Sequence, residues 1–262
     1  MDIRDYNRTA WNSEVAKKNE WTIPVTSEAI ARAREGDWSV VLTPEAPVPR
    51  DWFGDLAGAK VLGLASGGGQ QGPILAAAGA DVTVFDNSPA QLGQDQLVAE
   101  RDGLSLETVE GDMRDLNCFA DNSFDLIFHP CSNGFVPDIR PVWKEACRVL
   151  KPGGHLLSGF VNPIFYVFDW DEMQKGNLQV RHKIPYSDLT DITEAERHAL
   201  IDDGEPMCFG HTLADQIAGQ TDAGLAVVGF FEDRWLSDAD HASISEYIPC
   251  FAATRSRKLV CE

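Results

Sequence analysis

The feature that most constrains this chain is the run Val61-Leu62-Gly63-Leu64-Ala65, followed by Ser66-Gly67-Gly68-Gly69-Gln70-Gln71-Gly72 and then by Pro73-Ile74-Leu75-Ala76-Ala77-Ala78. An apolar run that breaks into clustered glycines and then resumes reads as a buried strand, a tight turn and a helix. Glycine permits positive φ and leaves no Cβ between the backbone and whatever binds there. Free N–H groups at the turn, with the positive end of the following helix, favour a carboxylate or a phosphate. Asp86 closes the next apolar run, Val82-Thr83-Val84-Phe85. An acid there can accept hydrogen bonds from both hydroxyls of a ribose. Turn and acid together predict a nucleoside-containing cofactor.

Strands and helices alternate from Lys60 onward. Strands are expected at Lys60–Ala65, Asp81–Asp86, Leu106–Glu110, Phe124–Phe128 and His155–Phe160. A helix over Ser88–Arg101 has Ser88 as N-cap and Pro89 at its first position. This order implies right-handed crossovers and a parallel sheet covered on both faces. Residues 1–58 read as an N-terminal helical lid, with Ser27 a candidate N-cap and Pro44, Pro47 and Pro49 marking an extended connection. Residues 162–210 interrupt the rhythm and read as an inserted substrate cap, in which Leu178–Tyr186 could pair as a strand or hairpin. A helix over Thr212–Ala223 and strands at Ala226–Phe231 and Ile248–Thr254 complete the core, which spans 59–161 and 211–262.

The 262 residues carry 22 basic and 41 acidic side chains, a formal charge of -19. That balance argues against nucleic acid and anionic membrane surfaces as partners. The N-terminus is polar and no long apolar span occurs, and the six scattered cysteines form no C-x-x-C pair. Both features fit a cytoplasmic protein with reduced thiols. His155, His182, His198 and His241 share no ligand spacing with acids or cysteines, so no metal site is expected.

The glycine motif, Asp86, Gly111-Asp112, Asn122-Ser123-Phe124-Asp125-Leu126-Ile127 and Arg148-Val149-Leu150-Lys151-Pro152-Gly153-Gly154, in that order, resemble the class I S-adenosylmethionine-dependent methyltransferases of the small-molecule type. The resemblance covers roughly residues 59–161 and 211–255. It implies an α/β fold with a Rossmann-like doubly wound sheet, mostly parallel with an antiparallel final strand. It also implies methyl transfer from S-adenosylmethionine, which leaves S-adenosylhomocysteine. Ala65, Ser66, Gly67 and Gly69 map onto the turn that holds the methionine part, and Asp86, with Asn87 beside it, onto the ribose-binding acid. Asp112 maps onto the acid that receives the adenine amino group and Met113 onto its apolar neighbour. The sequence departs from the family at Gly63, the third residue of the motif, where an acid is usual. Another group must then replace that acid, or affinity falls.

Two other readings use the same residues. Gly67-Gly68-Gly69-Gln70-Gln71-Gly72 satisfies G-x-G-x-x-G, the fingerprint of a nicotinamide cofactor site. A short-chain dehydrogenase would also need Tyr-x-x-x-Lys, and no tyrosine here has a lysine four residues later. A non-catalytic S-adenosylmethionine-binding or regulatory protein is the remaining alternative.

Methyl transfer asks the protein to align a nucleophile and exclude water, with a base needed only if the nucleophile arrives protonated. His129, at the end of the fourth strand, is the candidate base and lies where the family places residues facing the methyl group. Asn133 and His211 are candidates for positioning the acceptor. Trp11, Phe165 and Trp170 are candidates for walling an apolar pocket. The identity of the acceptor and a choice between monomer and homodimer do not follow from the sequence.

Overall fold

The computed structural model describes residues 1–235 and 242–260. His241 and Cys261 lie outside the described residues. Seven strands form the main sheet: β1 (Lys60–Leu64), β2 (Asp81–Asp86), β3 (Leu106–Glu110), β4 (Phe124–His129), β5 (Leu150–Val161), β8 (Leu225–Asp233) and β9 (Phe251–Lys258). Their order is β3-β2-β1-β4-β5-β9-β8. The first five strands run parallel, and β9 lies between β5 and β8, antiparallel to both. A second sheet pairs β6 (Tyr186–Ser187) with β7 (Phe209–Gly210).

Strand periodicity divides the core into two layers. Val61, Val82, Val84, Leu126, Phe128 and Leu157 face one cluster, while Leu62, Leu64, Phe85, Ile127 and Leu156 face the other. On the second face α5 (Arg140–Val149) contributes Val142, Trp143, Ala146 and Val149, each 0% exposed. α3 (Gln71–Ala77) follows the glycine turn, and α4 (Pro89–Asp102) starts as expected, with the Ser88 hydroxyl accepting from Gln91 N–H and Pro89 at its first position.

The segment expected as a lid holds α1 (Ile3–Lys17), capped by Asp2, and α2 (Ser27–Arg34). The N-cap of α2 is Thr26, whose hydroxyl accepts from Ala29 N–H, and Ser27 is the first helical residue. Residues 38–58 of the same segment pack into the core. Val40, Leu42, Val48, Trp52, Phe53 and Leu56 belong to the same buried cluster as Val61 and Val84. Leu42 C=O accepts from Cys131 N–H at 3.0 Å, which fixes this segment against the end of β4.

Residues 162–210, expected as an inserted cap, hold α6 (Trp170–Gln174) and α7 (Glu194–Asp203), the latter begun by a Thr193/Glu196 capping box. Leu178–Tyr186, expected to pair as a strand or hairpin, forms no hairpin and pairs only at two of its residues. Val180 makes an isolated bridge to Phe168, and Tyr186 pairs instead with Gly210. The helix expected over Thr212–Ala223 is a π turn, Ala214–Ala218, continued by α8 (Gly219–Asp222). A last short helix, α9 (Ala242–Ser245), precedes β9, which starts three residues later than expected. Asn7 of α1 ties lid to cap: its Nδ2 donates to Met207 C=O and Phe135 C=O, and its Oδ1 accepts from Met207 N–H at 2.8 Å.

Candidate active site

The C-terminal ends of the parallel strands open into a cavity of about 370 Å³ beneath the lid and cap. Open α/β sheets bind ligands at this position. Ala65, Ser66 and Gly67 after β1, Asp86 and Asn87 after β2, and Asp112 and Met113 after β3 all line it. Trp11 from α1, and Phe165 and Trp170 from the cap, line it as well. Ten of the residues expected at a site therefore line one cavity.

Much of the glycine turn is bonded into the protein, contrary to the expectation that its N–H groups stay free. Ala65 N–H donates to Phe85 C=O at 2.7 Å, Gly67 N–H to Asp86 Oδ2 at 3.0 Å and Gly68 N–H to Asp95 Oδ2 at 3.0 Å. Gly69 is not on the cavity wall: its carbonyl accepts from Val25 N–H of the lid, and a Cβ there would meet Gln94 C=O. Gly68 and Gly69 have φ of 117° and 73°, which a side chain would strain.

Asp86 accepts from Gly67 N–H and, through Oδ1, from Ser88 N–H at 2.9 Å. Burial pushes its carboxyl above the usual carboxylate range, against the pull of these backbone bonds. Burial also works to raise Asp112, but Arg114 Nη2 stands 2.6 Å from Oδ2 and holds the carboxyl below its ordinary value. Asn87 is locked to the lid, with Nδ2 donating to Arg4 C=O at 2.9 Å and Oδ1 accepting from Arg4 Nε at 3.3 Å.

The structure does not bring His129, Asn133 or His211 to the cavity wall. His129 is 0% exposed, its Nδ1 is 2.8 Å from Leu64 C=O, and its ring meets Trp143 edge to face. Burial depresses its pKa to about 4, which keeps the ring neutral. It lies beneath the site, off the cavity wall, where a base was expected from the sequence. Asn133 makes a reciprocal amide pair with Gln216 at 3.2 and 3.1 Å, and its carbonyl accepts from His211 Nε2 at 3.1 Å. Both side chains are consumed by these internal contacts rather than directed at an acceptor.

Sequence reasoning missed Arg4, Arg114 and Trp235 on the wall, and Asp95 behind it. Arg114 was detectable as a base two residues from Asp112. Trp235, brought in by the end of β8, left no local signal. Away from the cavity, Lys151-Pro152-Gly153-Gly154 lies within β5 rather than in a turn before it, and its role is structural: Lys151 Nζ reaches Asp125 Oδ2 at 2.7 Å, and Asp125 in turn accepts from Lys60 N–H. Among the described residues no group of three or more His, Cys, Asp and Glu is placed to hold a metal ion.

A glycine turn between β1 and α3, with Asp86 ending β2 and Asp112 just beyond β3 of a mostly parallel sheet, defines a Rossmann-like site suited to a nucleoside-containing ligand. Residues 62–158 match the family described as Methyltransferase domain. The chain is 52% identical over 254 residues to the "Uncharacterized methyltransferase YbaJ" of Bacillus subtilis (strain 168), covering 97% of this chain and 98% of that protein. It is also 37% identical over 121 residues to the "Sterol 24-C-methyltransferase erg6" of Aspergillus fumigatus, covering 45% of this chain and 29% of that protein. The crystal structure of an S-adenosylmethionine-dependent methyltransferase from Mesorhizobium loti superposes with a TM-score of 0.61 at 17% identity, covering 80% of this chain and 95% of that one. The chain belongs to the class I S-adenosylmethionine-dependent methyltransferases, and its cofactor is S-adenosylmethionine.

The residues present fit that molecule. Two carboxylates, Asp86 and Asp112, face the cavity as acceptors for a ligand rich in hydroxyl and amino donors, and Met113 supplies apolar surface beside them.

Proposed function

We propose that this methyltransferase acts on a small organic acceptor seated in the aromatic half of the cavity, with Ala65, Ser66, Gly67, Asp86, Asn87, Asp112 and Met113 holding the cofactor in the other half. One observation carries the reading. The wall contributed by β1, β2 and β3 bears the carboxylates, whereas the cap and the lid supply Trp11, Phe165, Tyr166 and Trp170 to the same cavity. An aromatic wall with few polar groups suits a small molecule rather than a nucleic acid, which would need a basic surface.

When bound, S-adenosylmethionine supplies a methyl group already activated for displacement. The chain's own work is binding, alignment and exclusion of water. Asp86, steadied by Gly67 and Ser88 N–H, accepts the ribose hydroxyls. Asp112, held by Arg114, accepts the adenine amino group, and Met113 packs along the base. Trp11, Phe165 and Trp170 enclose the acceptor. Burial raises the thiol pKa of Cys131 and Cys208 and the hydroxyl pKa of Tyr166, so these wall groups stay protonated and uncharged at neutral pH. No helix among the described residues is long and apolar enough to cross a membrane. A cytoplasmic site of action is supported by the free thiols of Cys118, Cys131, Cys208 and Cys250.

Incubation with tritium-labelled S-adenosylmethionine and fractionated cell extract tests the proposal. Label is expected in a small-molecule fraction, and label confined to protein or nucleic acid overturns it.

A further inference from the structure

Gly63 stands where the family usually carries an acid, and a Cβ there would meet Ser66 Oγ, so a side chain at this position requires the Ser66 hydroxyl to turn aside. Ser66 is 3% exposed and its hydroxyl has no hydrogen-bond partner, so it fills the notch beside Gly63 by packing. The chain has nevertheless not dispensed with a buried acid at this turn. Asp95, in the middle of α4, is 0% exposed and reaches the turn from behind. Its Oδ2 accepts from Gly68 N–H at 3.0 Å, a donor shared with Gln91 C=O at 3.1 Å. Burial raises the pKa of this carboxyl, and the Gly69 backbone, like that of Gly68, works to lower it. Its Oδ1 makes no hydrogen bond and lies at van der Waals distance from where a Cβ on Gly72 would stand.

Burying a carboxyl inside a domain is costly unless it is bonded, and leaving one of its oxygens unpaired adds to that cost. A helix interior offers no local reason for such a residue, since aspartate is a poor helix former. The bond to Gly68 supplies a reason, because it fixes a glycine at φ 117° whose backbone no side chain could hold. We propose that Asp95 is the positioning residue of the cofactor site, supplying from α4 the acid that β1 lacks at Gly63, and that it acts by accepting the Gly68 N–H so that the turn keeps its ligand-binding shape. Asp86 braces the neighbouring Gly67 in the same manner, so β2 and α4 together hold the turn. Asp95 does not touch the cavity, and its contribution passes through the backbone of the turn.

The test is calorimetric binding of S-adenosylhomocysteine to the full chain, with folding followed separately by thermal melting. Asp95→Ala is expected to weaken binding at least tenfold (about 1.4 kcal/mol) in protein that remains folded. Asp95→Asn, whose amide oxygen still accepts from Gly68, is expected to stay within about threefold of the parent. The triple change Gly63→Asp, Ser66→Gly, Asp95→Ala, which returns the acid to β1 and clears the notch, is expected to recover part of the affinity lost by Asp95→Ala. A purely structural role would lower the melting temperature and leave the affinity of the folded protein alone. Folded Asp95→Ala with parental affinity overturns the proposal, as does Asp95→Asn binding as weakly as Asp95→Ala. Should Asp95→Ala not fold, Asp95→Asn decides. Retained affinity with slow Gly68 amide exchange supports the proposal, and loss of either overturns it. Failure of the parent protein to bind S-adenosylhomocysteine would count against the cofactor assignment, not against Asp95.

Discussion

Asn12 in the lid helix accepts a hydrogen bond from the Ser88 hydroxyl at 2.8 Å, and the same oxygen also receives Ala90 N–H at 3.2 Å. Ser88 is the N-cap of α4 and adjoins Asn87, so the lid is fastened to the segment that carries Asp86. Replacing Asn12 by Ala strips an acceptor from two partly buried donors, at about 1–2 kcal/mol. The expected result is a three- to tenfold loss of S-adenosylhomocysteine affinity with faster proteolysis of α1. Calorimetry and limited digestion check it, and no change in either would mean that the lid docks independently of the cofactor site.

Asp86→Ala should weaken S-adenosylhomocysteine binding by about ten- to a hundredfold, since hydrogen bonds to a charged acceptor contribute roughly 1.5–3 kcal/mol. Because burial raises the Asp86 carboxyl, protonation begins at a higher pH than for an ordinary aspartate. Parental affinity should therefore fall as the medium is acidified through that raised value, while Asp86→Asn should show a flatter profile. Titrations at several pH values between neutral and mildly acidic would show the difference.

His129 makes a prediction about stability rather than catalysis. Its folded pKa is depressed from 6.5 to about 4, so the unfolded chain takes up a proton on acidification before the native protein does. The stabilisation is present above pH 6.5 and is lost as the pH falls toward 4, by up to about 3 kcal/mol. In His129→Asn this component disappears, so the stability gap between parent and variant should narrow across that window in urea titrations. Turnover per folded molecule should change by less than about tenfold, as expected of a side chain that does not reach the cavity. A thousandfold loss at unchanged stability and cofactor affinity would reinstate the histidine as a base.

Trp170→Ala and Phe165→Ala remove neighbouring rings 5.7 Å apart from the cap side of the cavity. Each should raise the acceptor KM by tenfold or more while leaving S-adenosylhomocysteine affinity within about twofold, the signature of lost ground-state binding to one ligand. Parallel changes in both constants would instead place these rings against the cofactor.

The core strands and the order of the motifs were legible because strand periodicity and glycine turns are local signals. The role of residues 38–58 was not, because three prolines announce an extended chain without indicating whether its Val40, Leu42 and Trp52 are covered. His129 could be placed at a strand end, but the face on which its ring lies is set by Leu64 and Trp143, distant in sequence. Asp95 was hidden for the opposite reason. In Gly93-Gln94-Asp95-Gln96 it looks like solvated helix surface, and only the fold turns it toward Gly68. Asn133 and His211 illustrate the limit of residue chemistry as a guide, since the groups suited to holding a substrate are equally suited to holding each other.

A cavity roofed by two separate flaps could exchange its two ligands on independent schedules. Here Asn7 grips the backbone of Met207 on both its N–H and its C=O, and Asn12 grips the rim of the cofactor site. A roof tied in this way is expected to open as one piece, so that the spent cofactor and the methylated product leave together. Stopped-flow release of the two is expected to follow a single shared rate, which Asn7→Ala should split in two.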